Sequence, residues 1–137
     1  MNLVEICITD PATAPMTGSA ADAIEAMIRR GIGATVILDS KNIVAGILTE
    51  RDVLRKIALS GRDPHQIPVT EVMSAPVILA TRKTTPAEAV EFMIQQQKRH
   101  MPVVEDDGKL IGVLSIRHVL ERKVHELTRE IEQITKV

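Results

Sequence analysis

The chain has 137 residues, enough for a domain with its own core, and 45% of them are apolar, which excludes a disordered segment. It has no Trp or Tyr and a single Phe, so bases cannot stack on a set of aromatic side chains. The 17 Lys and Arg nearly balance the 18 Asp and Glu, which argues against a duplex-binding protein and against a polybasic membrane anchor.

The first ten residues hold the single cysteine, Cys7, and no basic segment followed by a long apolar run. One cysteine excludes an intramolecular disulfide and a metal site built on several thiolates. We expect no secretory leader, no membrane-spanning segment and a cytoplasmic location.

The first predicted elements are a short strand at Ala12–Ala14 and a helix that starts at Ser19. Ser19 and Asp22 fit a capping box, in which a hydroxyl and a carboxylate bind free amides at the start of a helix. Apolar residues then follow at helical spacing, namely Ala23, Met27 and Ile28.

A hairpin comes next, with strands at 34–38 and 43–48 rich in β-branched residues. Asn42 ends the turn between them, and Asn tolerates the positive φ that tight hairpins require. A second helix is predicted from Thr49, and Ser60–Pro68 is predicted as a polar connector.

The whole series of elements returns 66 residues later, without an insertion. The recurring pairs include Ala23/Ala89, Glu25/Glu91, Met27/Met93, Ile28/Ile94, Gly46/Gly112, Leu48/Leu114, Arg51/Arg117, Val53/Val119 and Leu54/Leu120. The second copy is predicted to have strands at 77–80, 100–104 and 110–114, with helices starting near Thr85 and Ser115. A single register held over so many positions indicates an internal repeat.

The predicted fold is therefore α/β (α+β), with two β-α-β-β-α repeats packed with pseudo-two-fold symmetry. The first repeat with its connector spans 1–66, the second spans 67–124, and a C-terminal helical extension spans 125–137. Along this last helix the apolar residues Leu120, Val124, Leu127, Ile131 and Ile134 follow one another in steps of 4, 3, 4 and 3. This narrow stripe predicts packing on the protein itself or on its own dimer mate.

The segment Gly46–Asp52 joins a predicted strand to a predicted helix, and its simplest interpretation is a third capping box, Thr49 with Asp52. Two features favour a ligand site as well. The amides at a helix N-terminus favour phosphate, and Gly46 allows close approach of a backbone or a ligand. A carboxylate one turn later can accept both hydroxyls of a ribose.

The doubled unit, with Gly46–Asp52 in one copy and Lys98–Val104 in the other, resembles a pair of CBS domains, a Bateman module. The resemblance covers about residues 8–124. It implies that an adenine nucleotide or a related adenosyl ligand binds in a cleft between the copies, and that the protein regulates rather than catalyses.

The resemblance also implies roles for individual residues. Thr49 would meet the phosphate or the ribose, Asp52 the ribose hydroxyls, and Ile47 the adenine. The opposite copy would add Ser74, Val77 and Ile78 near the adenine and Lys98, Arg99 and His100 near the phosphates. Arg51 and Arg55 are equally consistent with phosphate contacts and with solvated helix arginines.

The second, pseudo-equivalent cleft departs from this pattern. Ser115 and His118 stand where the first cleft has Thr49 and Asp52, and the opposing Ile32–Ala34 carries no charge. We expect one occupied cleft and one weak or empty cleft.

No nucleophile, general base or metal-ligand spacing accompanies these motifs, so we expect neither an enzyme nor a metal site. The predicted function is a sensor of AMP, ADP or ATP that requires no other cofactor. It would signal within a homodimer or to a regulated protein partner, without nucleic acid or membrane contacts. Two alternatives stay open: a structural dimerisation module without a nucleotide, and a sensor of a ligand such as S-adenosylmethionine.

Overall fold

In the computed structural model, which describes residues 2–136, each repeat forms one three-stranded sheet. The strands of the first are β1 (Ala12–Pro15), β2 (Ala34–Leu38) and β3 (Val44–Thr49), and those of the second are β4 (Ala80–Thr81), β5 (His100–Val104) and β6 (Leu110–Ser115). In each sheet the central strand runs parallel to the first and antiparallel to the third. Met1 and Val137, the outer ends of the predicted first and last segments, lie outside the described residues.

Helices lie at equivalent places in the two repeats. They are α1 (Leu3–Ile6), α2 (Ala20–Arg30), α3 (Glu50–Asp52), α4 (Val69–Val72), α5 (Pro86–Gln95) and α6 (Ile116–Thr135). Helices α2 and α5 connect the first two strands of each sheet, and α3 and α6 follow the third strand. The predicted α/β fold, with two β-α-β-β-α repeats and a C-terminal helix, is confirmed.

The local turn chemistry follows the prediction. Ser19, Thr85 and Thr49 each cap a helix, and each box is closed by the acidic residue three positions later. Asn42 and Gly108 take the positive φ values of their hairpins, 63° and 88°. After Asp52 the chain continues as a π-helical turn, Val53–Ile57.

Each repeat has its own apolar core, and both cores take residues that the sequence did not predict for them. Ile67, inside the connector predicted to be polar, is 1% exposed and packs into the first core. Leu3 and Ile6 of α1 pack into the core of the second repeat although they precede the first. Helix α1 therefore packs on the second repeat, although the first repeat follows it in the sequence.

Short antiparallel bridges join the repeats, and two of them involve the third strands β3 and β6. The amide of Ile47 donates to the carbonyl of Ser74 at 3.0 Å, and the amide of Ser74 donates to the carbonyl of Ile47 at 2.8 Å. Ile8 and Val113 exchange the same pair of bonds, at 2.8 and 3.0 Å. Each repeat thus pairs its third strand with the segment that precedes the first strand of the other.

Two predictions need correction. The strand predicted at 77–80 is the two-residue β4, because the preceding segment turns toward the first repeat at Ser74 instead of extending the sheet. The apolar stripe does not pack on this chain: Leu120, Val124, Leu127, Ile131 and Ile134 are 45–75% exposed, because α6 extends beyond both cores. Packing on a dimer mate remains a prediction.

Within residues 2–136, none of the helices has the length and apolar content needed to cross a membrane.

Candidate functional site

A cavity of about 640 Å³ lies between the two repeats, where β3 passes into α3. This volume suits a small organic ligand. Its walls include the nine residues that the sequence singles out most strongly: Ile47, Thr49, Asp52, Ser74, Val77, Ile78, Lys98, Arg99 and His100. Residues from both repeats therefore meet in one cavity.

The five weaker candidates divide into two groups. Arg51 and Arg55 line the cavity, whereas Gly46, Ser115 and His118 do not. A Cβ atom on Gly46 would lie 2.4 Å from Sδ of Met73, so this glycine makes room for a side chain of the protein and not for a ligand.

Asp52 is held in place by its own capping box. Its Oδ2 atom accepts the amide of Thr49 at 3.0 Å and the hydroxyl of Thr49 at 3.1 Å. The hydroxyl oxygen of Thr49 accepts the amide of Asp52 at 3.2 Å. The same spacing that marks a helix start thus fixes a carboxylate at the cavity wall.

Asp52 also has partners beyond its own turn. Ser74 Oγ donates to Oδ1 of Asp52 at 3.2 Å, and the ammonium of Lys56 lies 3.1 Å from the same oxygen. Lys56 further donates to the carbonyl of Val72 at 2.9 Å. Asp52 is only 8% exposed, so these partners compensate the burial of its carboxylate.

The cavity wall carries more positive than negative charge. Arg51, Arg55, Lys98 and Arg99 line it, against the carboxylates of Glu50 and Asp52. These four cations form no ion pair within the part of the chain that the structure describes. They are exposed and available to an anionic ligand.

The predicted role of the helix amides is partly wrong. The amide of Glu50 donates to the carbonyl of Gly33 at 3.0 Å, and the amide of Asp52 donates to Thr49. Two amides of the first turn are therefore satisfied by the protein itself. An anion at this wall would therefore contact the basic side chains rather than these two amides.

His100 begins β5 and reaches the cavity half-buried. Burial lowers its pKa below the ordinary value, and the nearby Arg99 acts in the same direction while Glu50 opposes it. A histidine in such a setting is neutral near pH 7 and presents one donor and one acceptor.

Several wall residues were missed at the sequence level, chiefly Gly33, Glu50, Met93, Gln96 and Gln97. For Gln97, the internal repeat could have indicated a turn at this position. Gln97 lies 66 residues after Gly31, and both have positive φ, 54° and 62°. The turn that precedes Lys98 and Arg99 therefore corresponds to the turn at Gly31, which ends α2 in the first repeat.

The pseudo-equivalent cleft has a different chemistry. Ser115 starts α6 without a capping bond from its side chain, and His118 has no carboxylate with which to accept the amide of Ser115 in return. Arg30 and Asp10, the counterparts of Gln96 and Pro76, form an ion pair. Positions that line the first cleft are engaged here in a contact within the protein.

Within residues 2–136, no three His, Cys, Asp or Glu side chains cluster as metal ligands would. Cys7 is buried, and burial raises the pKa of its thiol, with an opposing backbone hydrogen bond.

Comparison with known sequences gives a family match over most of the chain. The model of the CBS domain matches twice, at residues 3–59 and 69–125. A Methanopyrus kandleri protein is 32% identical over 132 residues, covering 96% of this chain and 67% of that protein. The mitochondrial CBS domain-containing protein CBSX3 of Arabidopsis thaliana is 35% identical over 117 residues, covering 82% of this chain and 56% of that protein. The chain thus spans between about half and two thirds of these relatives.

Solved structures give the same result. A protein with CBS domains from Burkholderia ambifaria is 31% identical, with a TM-score of 0.80 over 91% of this chain and 95% of that chain. A CBS domain pair in complex with 5′-methylthioadenosine and S-adenosyl-L-methionine has a TM-score of 0.81 over 92% of this chain and 98% of that chain. At 21% identity this second likeness concerns the fold alone.

Proposed function

The chain belongs to the CBS-domain family, with two CBS domains in tandem, and we propose on this premise that it is a regulatory module that binds an adenine nucleotide in the cavity between them. One observation carries the proposal. Residues from both repeats converge on a single cavity that combines apolar walls, a fixed carboxylate and exposed cations. Adenine, ribose and phosphate require these three kinds of surface.

The apolar part of the wall would hold the base. Ile47, Val77 and Ile78 line it, and the backbone at Ile47 is fixed by its bridge to Ser74. Aliphatic walls enclose a purine without aromatic stacking, which suits a chain that has no Trp or Tyr.

The carboxylate of Asp52 would bind the ribose hydroxyls, with Thr49 beside it. Ionised carboxylates accept hydrogen bonds from hydroxyls strongly. Asp52 Oδ1 already receives Ser74 and Lys56, so a bound ribose would replace or share these donors. Ligand binding would therefore change a contact that links the two repeats.

Lys98, Arg99, Arg51 and Arg55 would bind the phosphates, with His100 nearby. They lie on both repeats, so an anion between them would attract the repeats toward each other. A ligand changes the packing of the repeats only if it binds one arrangement more tightly than another. We propose that this difference is transmitted within a homodimer or to a regulated protein partner, in the cytoplasm, and that the module itself catalyses nothing.

A second candidate ligand is an adenosyl compound of the S-adenosylmethionine type. We consider it because a CBS domain pair of the same fold was solved with 5′-methylthioadenosine and S-adenosyl-L-methionine. The cations of the cavity favour phosphates over the sulfonium of S-adenosylmethionine, because like charges repel. A purely structural module without a ligand would give those cations no counterion.

Calorimetric titration with AMP, ADP, ATP and S-adenosylmethionine tests the proposal. We expect saturable heat with at least one nucleotide, at one site per chain. Asp52→Ala should weaken binding by about tenfold or more, because a charged hydrogen-bond acceptor is lost. Asp22→Ala is the matched control, since Asp22 closes the same capping box in α2 but does not line the cavity.

The outcomes separate the alternatives. Absence of heat with all four ligands would favour the structural module. Tighter binding of S-adenosylmethionine, unaffected by Lys98→Ala, would favour the adenosyl alternative. Equal affinities of wild type and Asp52→Ala would reject our assignment of the ribose site.

A further inference from the structure

Helix α6 carries an apolar stripe that this chain leaves uncovered. Leu120, Val124, Leu127 and Ile131 are 45–62% exposed and repeat in the heptad steps that pair helices. Val119 on the adjoining face is 5% exposed and belongs to the core of the second repeat. The helix thus uses one face for its own repeat and presents a second apolar face outward.

We propose that this face binds α6 of a second copy of the chain, antiparallel, with Val124 against the partner subunit's Leu127 and Leu120 against the partner subunit's Ile131. The two-fold axis repeats each contact, so four apolar layers form. The inference concerns the homodimer of the proposed function and does not depend on nucleotide binding.

Charge complementarity selects this arrangement. Lys123 and Glu130 flank the stripe on the same side, one heptad apart, and both are exposed. Neither makes an ion pair with the residues that the structure describes. In the proposed register Lys123 lies beside the partner subunit's Glu130, and the symmetry gives a second, identical pair. Flanking charges of this kind set orientation and partner choice between helices.

Other pairings of the same helix lose this complementarity. A parallel pair would place Lys123 beside Thr128 and Glu130 beside Thr135, and both threonine hydroxyls already donate to carbonyls of their own helix. An antiparallel pair shifted by one heptad would place the two copies of Glu130 side by side, and like charges repel.

A membrane surface is a poorer occupant. Helices that lie on anionic membranes carry Lys and Arg over their polar face. The polar face of α6 mixes signs, with Glu121 and Glu132 alongside Arg122 and Arg129, all exposed. A second copy of the chain matches both the apolar and the charged parts of the surface.

Sedimentation equilibrium on the full chain and on two charge-reversal variants tests the pairing. Lys123→Glu and Glu130→Lys should each raise the dimer dissociation constant by about tenfold, because each replaces two attractions by two repulsions. An equimolar mixture of the two variants should restore dimers of wild-type strength. In a mixed dimer one chain carries acidic side chains at both flanking positions and the other carries basic side chains at both, so both pairs attract again.

Arg129→Glu and Glu132→Lys are the matched controls, since they make the same charge changes away from the stripe. They should leave dissociation unchanged, and circular dichroism should show that all four variants fold. If the wild-type chain stays monomeric at high micromolar concentration, the proposal is wrong, and a different protein would be the partner of the apolar stripe. Variants that dimerise like wild type, or a mixture that fails to recover, would also overturn it.

Discussion

The hydroxyl of Ser74 donates a hydrogen bond to Asp52 across the boundary between the two repeats, with 3.2 Å between Oγ of Ser74 and Oδ1 of Asp52. The same serine exchanges two backbone hydrogen bonds with Ile47. The carboxylate that we propose for the ribose is therefore also part of the contact that holds the repeats together. A substitution of Asp52 should therefore affect both the stability of the protein and the proposed ligand binding.

A double-mutant cycle on Ser74→Ala and Asp52→Ala should show this coupling. We expect Ser74→Ala to lower the free energy of unfolding by about 1 kcal/mol, and the two substitutions to be non-additive by a similar amount. Urea unfolding measures both quantities. Ser40→Ala, at an exposed hairpin position, should change stability little. Additive losses at Ser74 and Asp52 would contradict the coupling.

The repeat in the sequence accounts for most of the fold and much of the site. Its fixed offset aligned Thr49 with Ser115 and Asn42 with Gly108, so local signals supported one another in two places. Capping boxes and turn residues act over three or four positions, and such short-range chemistry is visible in a sequence. The family resemblance then supplied the residues of the opposite repeat.

Long-range contacts were not visible in this way. Nothing near Gly46 indicates that Met73 fills the space beside it, and nothing near Ile67 indicates that it packs into the core of the first repeat. The hydrogen bond from Ser74 to the carboxylate of Asp52 also comes from the other repeat, 22 positions away in the sequence. Such contacts depend on tertiary packing, which local patterns do not encode.

The two strand glycines should tolerate alanine unequally. A Cβ at Gly112 would lie 2.4 Å from the carbonyl oxygen of Ile8, which is fixed by its bridge to Val113, whereas a Cβ at Gly46 meets the flexible side chain of Met73. We expect Gly112→Ala to cost about 3 kcal/mol of unfolding free energy and Gly46→Ala about 1 kcal/mol. Denaturant titration of both variants checks the order.

A second substitution separates the causes. The double variant Gly46→Ala/Met73→Ala should lose less unfolding free energy than the sum of the two single losses. The reason is that Met73→Ala removes the sulfur that would clash with the new Cβ at position 46. Equal losses of unfolding free energy in Gly46→Ala and Gly112→Ala would show that the backbone at Ile8 moves aside as readily as the side chain of Met73.

Gln97 follows the C-cap of α5 and lies in the left-handed region, with φ of 54°, and its counterpart in the first repeat is Gly31 with φ of 62°. A non-glycine residue is strained there. Gln97→Gly should stabilise the protein by about 1 kcal/mol, and Gly31→Gln should destabilise it by a similar amount. The backbone strain acts alone at Gly31, because a Cβ there meets no atom within 4 Å. Thermal unfolding of the two variants tests this exchange, and a loss of stability in Gln97→Gly would mean that the glutamine side chain contributes more than its backbone strain costs.

His100 should make stability depend on pH. Burial lowers its pKa below the value near 6.5 of an unfolded chain, with Arg99 lowering it further and Glu50 opposing. The unfolded chain therefore binds the proton first as the pH falls. This contribution to stability is complete above pH 6.5 and is lost progressively below it, as the pH falls through the lowered pKa of the folded chain.

The measurement of this effect needs a background without His65. That histidine acts in the opposite sense, because its hydrogen bond to Asp63 raises its pKa, so its contribution is present at low pH and lost as the pH rises. Urea unfolding of His65→Gln should therefore be followed between about pH 7.5 and 5. Adding His100→Gln should flatten the decline toward acid, whereas an unchanged slope would show that His100 is as easily protonated in the folded chain as in the unfolded one.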